Sequence, residues 1–211
     1  MTDTQDHGPG RRPIASRSSG WAIALSRRLA ASQVTPNQIS AVSVLFAAMA
    51  AAALVLSNHP LAYIAAAACV QLRLVCNLLD GMVAIEGGKK SAVGALYNEF
   101  PDRIADTLFL VAAGYAAGWP SAGWLAALLA ALTAYVRVFG GSLGLPQDFG
   151  GVMAKQHRMA LLTGALVLQA VVWFFSPTLL PLRAALVVIA AGSAVTCVTR
   201  TMGIVRRLEA Q

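Results

Sequence analysis

The chain alternates long apolar runs with short polar breaks. A helix needs roughly 20 apolar residues to cross a hydrocarbon core of about 30 Å. Six runs are close to that length or longer, and Gly and Pro residues, which commonly end helices, lie in the breaks between them. The pattern predicts an all-α integral membrane protein with six transmembrane helices. The predicted spans are 38–57, 60–85, 92–118, 121–142, 158–176 and 179–199.

The composition favours a bilayer as the solvent of this chain. Of its 211 residues, 57% are apolar and 12% are charged, whereas an ordinary soluble domain is about 45–50% apolar and about 25% charged. A soluble fold of this size could not bury so much apolar surface. The three cysteines lie in apolar runs, where a free thiol behaves as a small hydrophobe, and they are too few for a disulfide scaffold.

The positive charge is distributed in a way that predicts topology. The net charge is +7, but the basic residues lie between apolar runs and not on one soluble face, so we expect anionic lipid and no nucleic acid as the partner. Basic residues concentrate in loops on one side, whereas the opposite loops carry only Arg183. This asymmetry predicts a multi-pass protein of the cell (inner) membrane with both termini cytoplasmic. The basic residues on that side are Arg11, Arg12, Arg17, Arg27, Arg28, Lys89, Lys90, Lys155, Arg158, Arg206 and Arg207.

The segment before the first span divides into two parts. Residues 1–19 are polar and are predicted to form a disordered cytoplasmic tail. In residues 20–33, Trp21, Leu25 and Leu29 recur at helical spacing, which predicts an amphipathic helix in the cytoplasmic interface, with a loosely ordered basic tail as the alternative.

The membrane domain is predicted to cover residues 34–205, with a basic cytoplasmic tail at 206–211. Thr35 and Gln38 have the spacing of a capping box, with Pro36 at the first helical position, so a helix should begin there. Small residues four apart, such as Ala48 and Ala52, suit close helix contacts, including those of a homodimer.

Four carboxylates interrupt the second and third predicted spans: Asp80, Glu99, Asp102 and Asp106. A charge at the bilayer centre costs about 2.5–3.5 kcal/mol on insertion scales, so intramembrane charges are usually paired or functional. Helical spacing places Arg73, Asn77 and Asp80 on one face of the second span, and it likewise aligns Asn98, Asp102 and Asp106 on the third.

An antiparallel hairpin would place these two faces opposite each other. Asp80 and Asn98 are each about nine residues, or roughly 13 Å, from the connecting loop. Asn77 and Asp102 would lie one turn deeper, and a structural ion pair of Arg73 with Asp106 deeper still. Two carboxylates and two amide oxygens at these levels suit a hard cation such as Mg²⁺ or Mn²⁺.

At these residues the sequence resembles the CDP-alcohol phosphatidyltransferase family. The family motif is D-x2-D-G-x2-A-R-x8,9-G-x3-D-x3-D. This chain has the same spacing, with Asn in place of two aspartates and Ile in place of the arginine. It reads Asn77-x2-Asp80-Gly81-x2-Ala84-Ile85-x8-Gly94-x3-Asn98-x3-Asp102.

The resemblance implies an enzyme of phospholipid synthesis that transfers a phosphatidyl group from a CDP-linked lipid, such as CDP-diacylglycerol, to an alcohol and releases CMP. In the family, four aspartates hold two divalent metal ions, and the fourth also serves as the base. The implied metal ligands are Asn77, Asp80, Asn98 and Asp102, with Asp102 as the catalytic residue. The implied nucleotide contacts are Asn37, Gly81, Ala84 and Gly94, and the implied phosphate or substrate contacts are Arg137, Lys155 and Arg158.

The replacements at Asn77, Asn98 and Ile85 leave a second interpretation open. The chain could be a catalytically weakened membrane protein that binds lipid or nucleotide and partners other lipid-synthesis enzymes. The sequence leaves the acceptor alcohol undetermined.

Overall fold

The computed structural model describes residues 19–89 and 91–210, and every regular element in this part of the chain is an α-helix. The predicted tail up to residue 18, Lys90 and Gln211 lie outside the described residues. The helices are α1 (Gly20–Ala31), α2 (Pro36–Leu56), α3 (Pro60–Glu86), α4 (Gly94–Ala116), α5 (Pro120–Ser142), α6 (Lys155–Val172) and α7 (Leu180–Glu209).

Local sequence signals set several helix starts. The predicted capping box at the start of α2 is confirmed: the Gln38 backbone N–H donates to Thr35 Oγ1 at 3.3 Å, and the Thr35 N–H donates to Gln38 Oε1 at 2.9 Å. Pro36, Pro60 and Pro120 each occupy the first position of a helix, where the missing N–H is not needed. At the other end of the chain, α7 continues through the basic residues that the sequence assigned to a tail.

Four of the described helices, α2, α3, α5 and α7, are long and apolar enough to cross a membrane. The predicted third and fifth spans correspond to α4 and α6, which are more polar. α4 carries Glu99, Asp102, Arg103 and Asp106, and α6 begins with a polar turn. The charged residues that interrupt these two helices are the ones that meet inside the protein.

The six longer helices form a closed ring in the order α2, α3, α6, α7, α5, α4 and back to α2. The polar faces of α3 and α4 meet, as in the contact of Asn77 with Asp102, but the two helices do not pack side by side as a hairpin, because α2 packs against both of them. The link of residues 87–93 joins α3 to α4 and is long enough for α2 to lie between these two helices. α3 and α4 therefore meet through long side chains across the ring.

Small residues allow a close approach of the backbones of α4 and α5. A Cβ atom on Gly114 would lie 2.7 Å from Cα of Gly123, and one on Gly123 would lie 2.7 Å from the Leu110 carbonyl oxygen. Such distances are too short for any side chain, so the two backbones touch only because both residues are glycine.

α1 packs across the end of α3 near the 87–93 link. Its buried residues are Ala22 and Ser26, and Ala22 packs in a cluster with Leu78 and Met82. Ser26 Oγ donates to Glu86 Oε2 at 2.9 Å. The predicted apolar stripe of α1 divides: Trp21 and Leu25 are 52% and 37% exposed, whereas Leu29 packs against a buried cluster. The helix thus has one side on the protein and an apolar edge directed away from it.

Candidate active site

A cluster of charged side chains from α3, α4 and α6 lies inside the ring. Arg73 comes from α3, Asp102 and Asp106 from α4, and Lys155 and Arg158 from α6. The Arg73 side chain is 0% exposed and that of Arg158 is 1% exposed. Because charges this deep in an apolar bundle must be paired, the cluster joins α4 across the ring to the adjacent helices α3 and α6.

Asp102 is at the centre of the cluster. Its Oδ1 accepts hydrogen bonds from Arg73 Nη2 at 2.5 Å and from Asn77 Nδ2 at 2.6 Å. Its Oδ2 accepts a hydrogen bond from Lys155 Nζ and lies 3.6 Å from Arg103 Nη2. The contact with Asn77 agrees with the equal depth predicted for these two residues. Both carboxylate oxygens of Asp102 are thus engaged, mainly by cations.

Asp106 lies one helical turn deeper. Its Oδ2 accepts a hydrogen bond from Arg158 Nη2 at 2.7 Å, whereas its Oδ1 is 3.8 Å from Arg73 Nη2. Arg73, predicted to pair with Asp106, is therefore closer to Asp102. Arg158 also donates to the Met153 carbonyl at 3.1 Å. Arg158 and Asp106 join α6 to α4 below the level of Asp102.

Asp80 lies in a different environment from Asp102. Its Oδ2 accepts a hydrogen bond of 2.6 Å from the hydroxyl of Ser40 on α2, and Asp80 is 6% exposed. Among residues 19–89 and 91–210, no Lys or Arg lies within ion-pairing distance of Asp80. Asp80 therefore keeps a carboxylate that the protein itself does not neutralise.

A second charged group surrounds Arg137 on α5. Its guanidinium donates to Glu99 Oε1 at 2.6 Å and to Gln147, and it lies 4.9 Å from the centre of the Phe149 ring. Beside it a small cavity is lined by Arg137, Asp148, Arg200 and Arg207, among others. Three cationic side chains therefore converge on one hollow between α5, α7 and the loop before α6.

The structure brings only some of the predicted site residues together. Asn77, Asp102 and Lys155 are in direct contact, whereas Asn98 is exposed on α4. Asn37 Nδ2 lies 3.4 Å from Ser91 Oγ in the 87–93 link. Lys155 and Arg158, predicted to bind phosphate, contact Asp102 and Asp106. The remaining predicted nucleotide contacts, Gly81, Ala84 and Gly94, lie near the ends of α3 and α4 that adjoin this link.

Sequence reasoning missed Ser40, Arg103, Gln147 and Arg200. A signal for Ser40 exists, because Asn37, Ser40 and Ser43 recur at three-residue intervals in the otherwise apolar α2. Arg200 donates to the carbonyl oxygens of Gly150 and Thr133. Its partners lie 50 and 67 residues away along the chain, so no local pattern could have indicated that role.

The donor set fits one divalent ion better than two. Asn77 and Asn98 contribute neutral amides where the family motif has carboxylates, and cations engage both oxygens of Asp102. Asp80 has no such partner, and its neighbour on the same helix face, Asn77, offers an amide oxygen. Within the described residues, no three Asp, Glu, His or Cys side chains form a metal site. A single ion would therefore bind Asp80 with help from amide oxygens.

Comparison with known proteins places this arrangement in a family. The fold matches crystal structures of Mycobacterium tuberculosis phosphatidylinositol phosphate synthase (PgsA1). With CDP-DAG bound, the TM-score is 0.70 at 21% identity, covering 87% of this chain and 92% of that one. For the structure in complex with manganese and citrate, the TM-score is 0.69 at 21% identity, and the match covers 87% of this chain and 88% of that one. For the apo form, the TM-score is 0.67 at 22% identity, and the match covers 85% of this chain and 93% of that one. At these identities the likeness shows a shared fold.

No protein of curated function matches the chain by sequence. The sequence model of the CDP-alcohol phosphatidyltransferases matches residues 33–199, which include all the members of the charged cluster. Because this match spans most of the chain, the protein belongs to the CDP-alcohol phosphatidyltransferase family.

Proposed function

We propose that the protein transfers a phosphatidyl or related substituted-phosphate group from a CDP-linked lipid, such as CDP-diacylglycerol, to an alcohol, with release of CMP. The observation that carries the proposal is the placement inside the ring of Asp80, which is buried, and Asp102, whose side chain is 14% exposed; these are the two carboxylates that remain in the family motif. Asn77 links them, because it shares a helix face with Asp80 and donates to Asp102 at 2.6 Å.

The helices and the basic residues also suggest how the protein lies in the membrane. We propose six transmembrane helices, α2 to α7, with α1 in the cytoplasmic interface and the exposed Trp21 edge in contact with lipid headgroups. An even number of spans places both termini on one side, and the basic residues Lys89, Arg206 and Arg207 favour the cytoplasmic side of the cell membrane. A homodimer through exposed small residues such as Ala48 and Ala52 remains a prediction.

The reaction needs a neutralised pyrophosphate and an aligned nucleophile. A divalent ion, Mg²⁺ or Mn²⁺, would supply positive charge at the pyrophosphate when bound at Asp80. Asp102 would accept the proton of the acceptor hydroxyl while the oxygen–phosphorus bond forms and the bond to CMP breaks. To do so, it must exchange its contact with Lys155 for the acceptor, and Arg73 keeps the carboxylate in place because it is fully buried.

The hollow beside Arg137 supports an anionic acceptor. Arg137, Arg200 and Arg207 line it with one carboxylate, Asp148. Guanidinium groups bind phosphate by paired hydrogen bonds, so an anion there would replace some of their present contacts with protein oxygens. We therefore propose an alcohol that carries a phosphate or another acid group, and the pooled acceptors of the experiment below include neutral alcohols for comparison.

The test is CMP release from CDP-diacylglycerol by the purified protein in phosphatidylcholine nanodiscs. The reaction contains Mg²⁺ or Mn²⁺ and a pool of anionic and neutral alcohols, and the lipid products are identified by mass spectrometry. We expect an acceptor-dependent product that Asp80→Asn and Asp102→Asn each reduce by at least about 10²-fold. Glu209→Gln, at the exposed end of α7, is the matched control. Full activity in both aspartate variants would contradict the proposal.

A second candidate is a lipid- or nucleotide-binding partner of other enzymes. The observation that favours it is the engagement of Asp102 by Arg73 and Lys155, which occupies the proposed base. Thermal stabilisation by CDP-diacylglycerol without any lipid product across the acceptor pool would favour this candidate over the enzyme.

A further inference from the structure

The charged cluster contains more positive charge than a divalent-metal site usually tolerates. Counting the neighbouring Arg137–Glu99 pair, five cationic side chains pair with the carboxylates of Glu99, Asp102 and Asp106, and none pairs with Asp80. These cations are Arg73, Arg103, Arg137, Lys155 and Arg158. Metal sites for Mg²⁺ and Mn²⁺ rely on excess carboxylate charge to attract the ion. Here the protein's own cations have already neutralised most of it.

The neutralisation is concentrated at Asp102. Arg73 and Asn77 engage its Oδ1, and Lys155 engages its Oδ2, so an ion at Asp102 must compete with two cations that already pair with it. Arg73 cannot withdraw to solvent because its side chain is 0% exposed. Lys155 is more mobile in principle, since its side chain is 12% exposed and it occupies the first position of α6.

The two amides in the motif also reduce the negative charge of the ligand set. Asn77 and Asn98 remove two negative charges from the ligand set, and Lys155 and Arg73 add two positive charges at the remaining aspartate of α4. Both changes make the site more positive, so two divalent ions added to these cations would leave a large uncompensated positive charge. Two positive charges about 4 Å apart repel strongly at the low effective dielectric constant of a protein interior.

From this geometry we infer that the Lys155 ammonium, backed by Arg73, occupies the place of a second divalent ion, so that the site binds one divalent ion per chain, on Asp80. Lys155 is then a positioning residue that holds Asp102 and supplies fixed positive charge beside it. The inference rests on the proposed function because it takes this cluster as the reaction site. The experiment that tests it measures metal binding without substrate.

The experiment counts Mn²⁺ bound per chain by X-band electron paramagnetic resonance, which distinguishes free from bound ion. The protein is held in nanodiscs of zwitterionic phosphatidylcholine, so that lipid headgroups do not bind the ion. We expect one Mn²⁺ per wild-type chain. Lys155→Gln should bind a second ion, or bind Mn²⁺ at least about tenfold more tightly, because a nearby positive charge is removed. Lys155→Arg keeps the charge and should behave as wild type, and so should Lys89→Gln, whose lysine contacts only backbone carbonyls outside the cluster.

A second comparison keeps the inference testable if Lys155→Gln does not fold. Asp80→Asn should lose the single ion, whereas Asp102→Asn should retain it, and thermal melting checks that each variant is folded. Wild-type protein that binds two ions or none would overturn the inference. Unchanged Mn²⁺ binding in folded Lys155→Gln, or equal loss in the two aspartate variants, would also overturn it. Because CMP release is measured separately, failure of the proposed enzyme activity would leave these binding results intact.

Discussion

Arg158 Nη2 donates a 2.7 Å hydrogen bond to Asp106 Oδ2, and this buried ion pair joins α6 to α4 across the interior of the ring. The side chains of Arg158 and Asp106 are 1% and 4% exposed, respectively. We expect a structural role for this pair because it is buried below Asp102, and phosphate binding by Arg158 stays a prediction. The pair fixes the start of α6, which also carries Lys155.

Removing one member of this pair should destabilise the protein. Asp106→Asn leaves the Arg158 charge buried without its partner, and such changes cost about 3–5 kcal/mol of unfolding free energy. Unfolding in mixed detergent micelles, followed by circular dichroism, measures the loss. The double variant Asp106→Leu with Arg158→Met should be more stable than Asp106→Asn, because neither charge remains. Equal stability of the two variants would contradict this account.

Ser40 should control the behaviour of Asp80. Its hydroxyl donates to Asp80 Oδ2 at 2.6 Å, and a hydrogen bond to a charged group contributes about 1.5–3 kcal/mol. We expect Ser40→Ala to reduce CMP release about tenfold or more and to change the Mn²⁺ affinity, and Ser40→Thr to retain both. Ser43→Ala is the control, since Ser43 is equally buried but donates to the Ser40 carbonyl. The same loss in both alanine variants would indicate a general effect on α2.

The contact between α4 and α5 should depend on glycine. In Gly123→Ala, the new methyl group would overlap the Leu110 carbonyl oxygen and Gly114, so the helices must separate at a cost of about 1–3 kcal/mol. Gly164 on α6 is the matched control, because no atom lies within 4 Å of a Cβ placed there. Gly164→Ala should leave the melting temperature unchanged or raise it, since alanine favours the helix. A similar fall in melting temperature for both variants would contradict the prediction.

Arg137 should affect the acceptor and not the lipid donor. If its guanidinium binds an anionic acceptor, Arg137→Gln should raise the acceptor KM at least about tenfold with a smaller change in kcat, because a charge-assisted contact is lost. Glu99→Gln removes the acid that now holds Arg137 and should lower or maintain that KM. Steady-state kinetics with the identified acceptor measures both. Parallel losses in the two variants would mean that the Glu99–Arg137 pair is purely structural.

The hydrophobic pattern predicted the helices well because apolar length and end signals are local. Thr35 and Gln38 cap α2 as expected, and Pro60 and Pro120 begin helices close to the predicted positions. The neighbours of each helix could not be predicted in this way. The placement of α2 between α3 and α4 depends on how all the helices pack, including the glycine contact of α4 with α5. The hydrophobic pattern along the sequence does not indicate which helices become neighbours.

For the site as well, the sequence predicted some of the residues but not their partners. Asp80 and Asp102 stand out because carboxylates are rare in apolar runs, and equal depth predicted the contact of Asn77 with Asp102. The partners of Lys155 and Arg158 could not be predicted, because a basic residue near a span end is equally consistent with topology, phosphate binding or an ion pair. In the fold, α6 packs against α3, and this places Lys155 and Arg158 beside Asp102 and Asp106 of α4.

Side chains, not packed backbones, span the interval between α3 and α4. α2 packs against both helices and holds them apart, and the side chains of Arg73, Asn77 and Asp102 bridge the interval. We expect a bound headgroup to displace some of these side-chain contacts while the directly packed helix pairs, such as α4 with α5, keep their spacing.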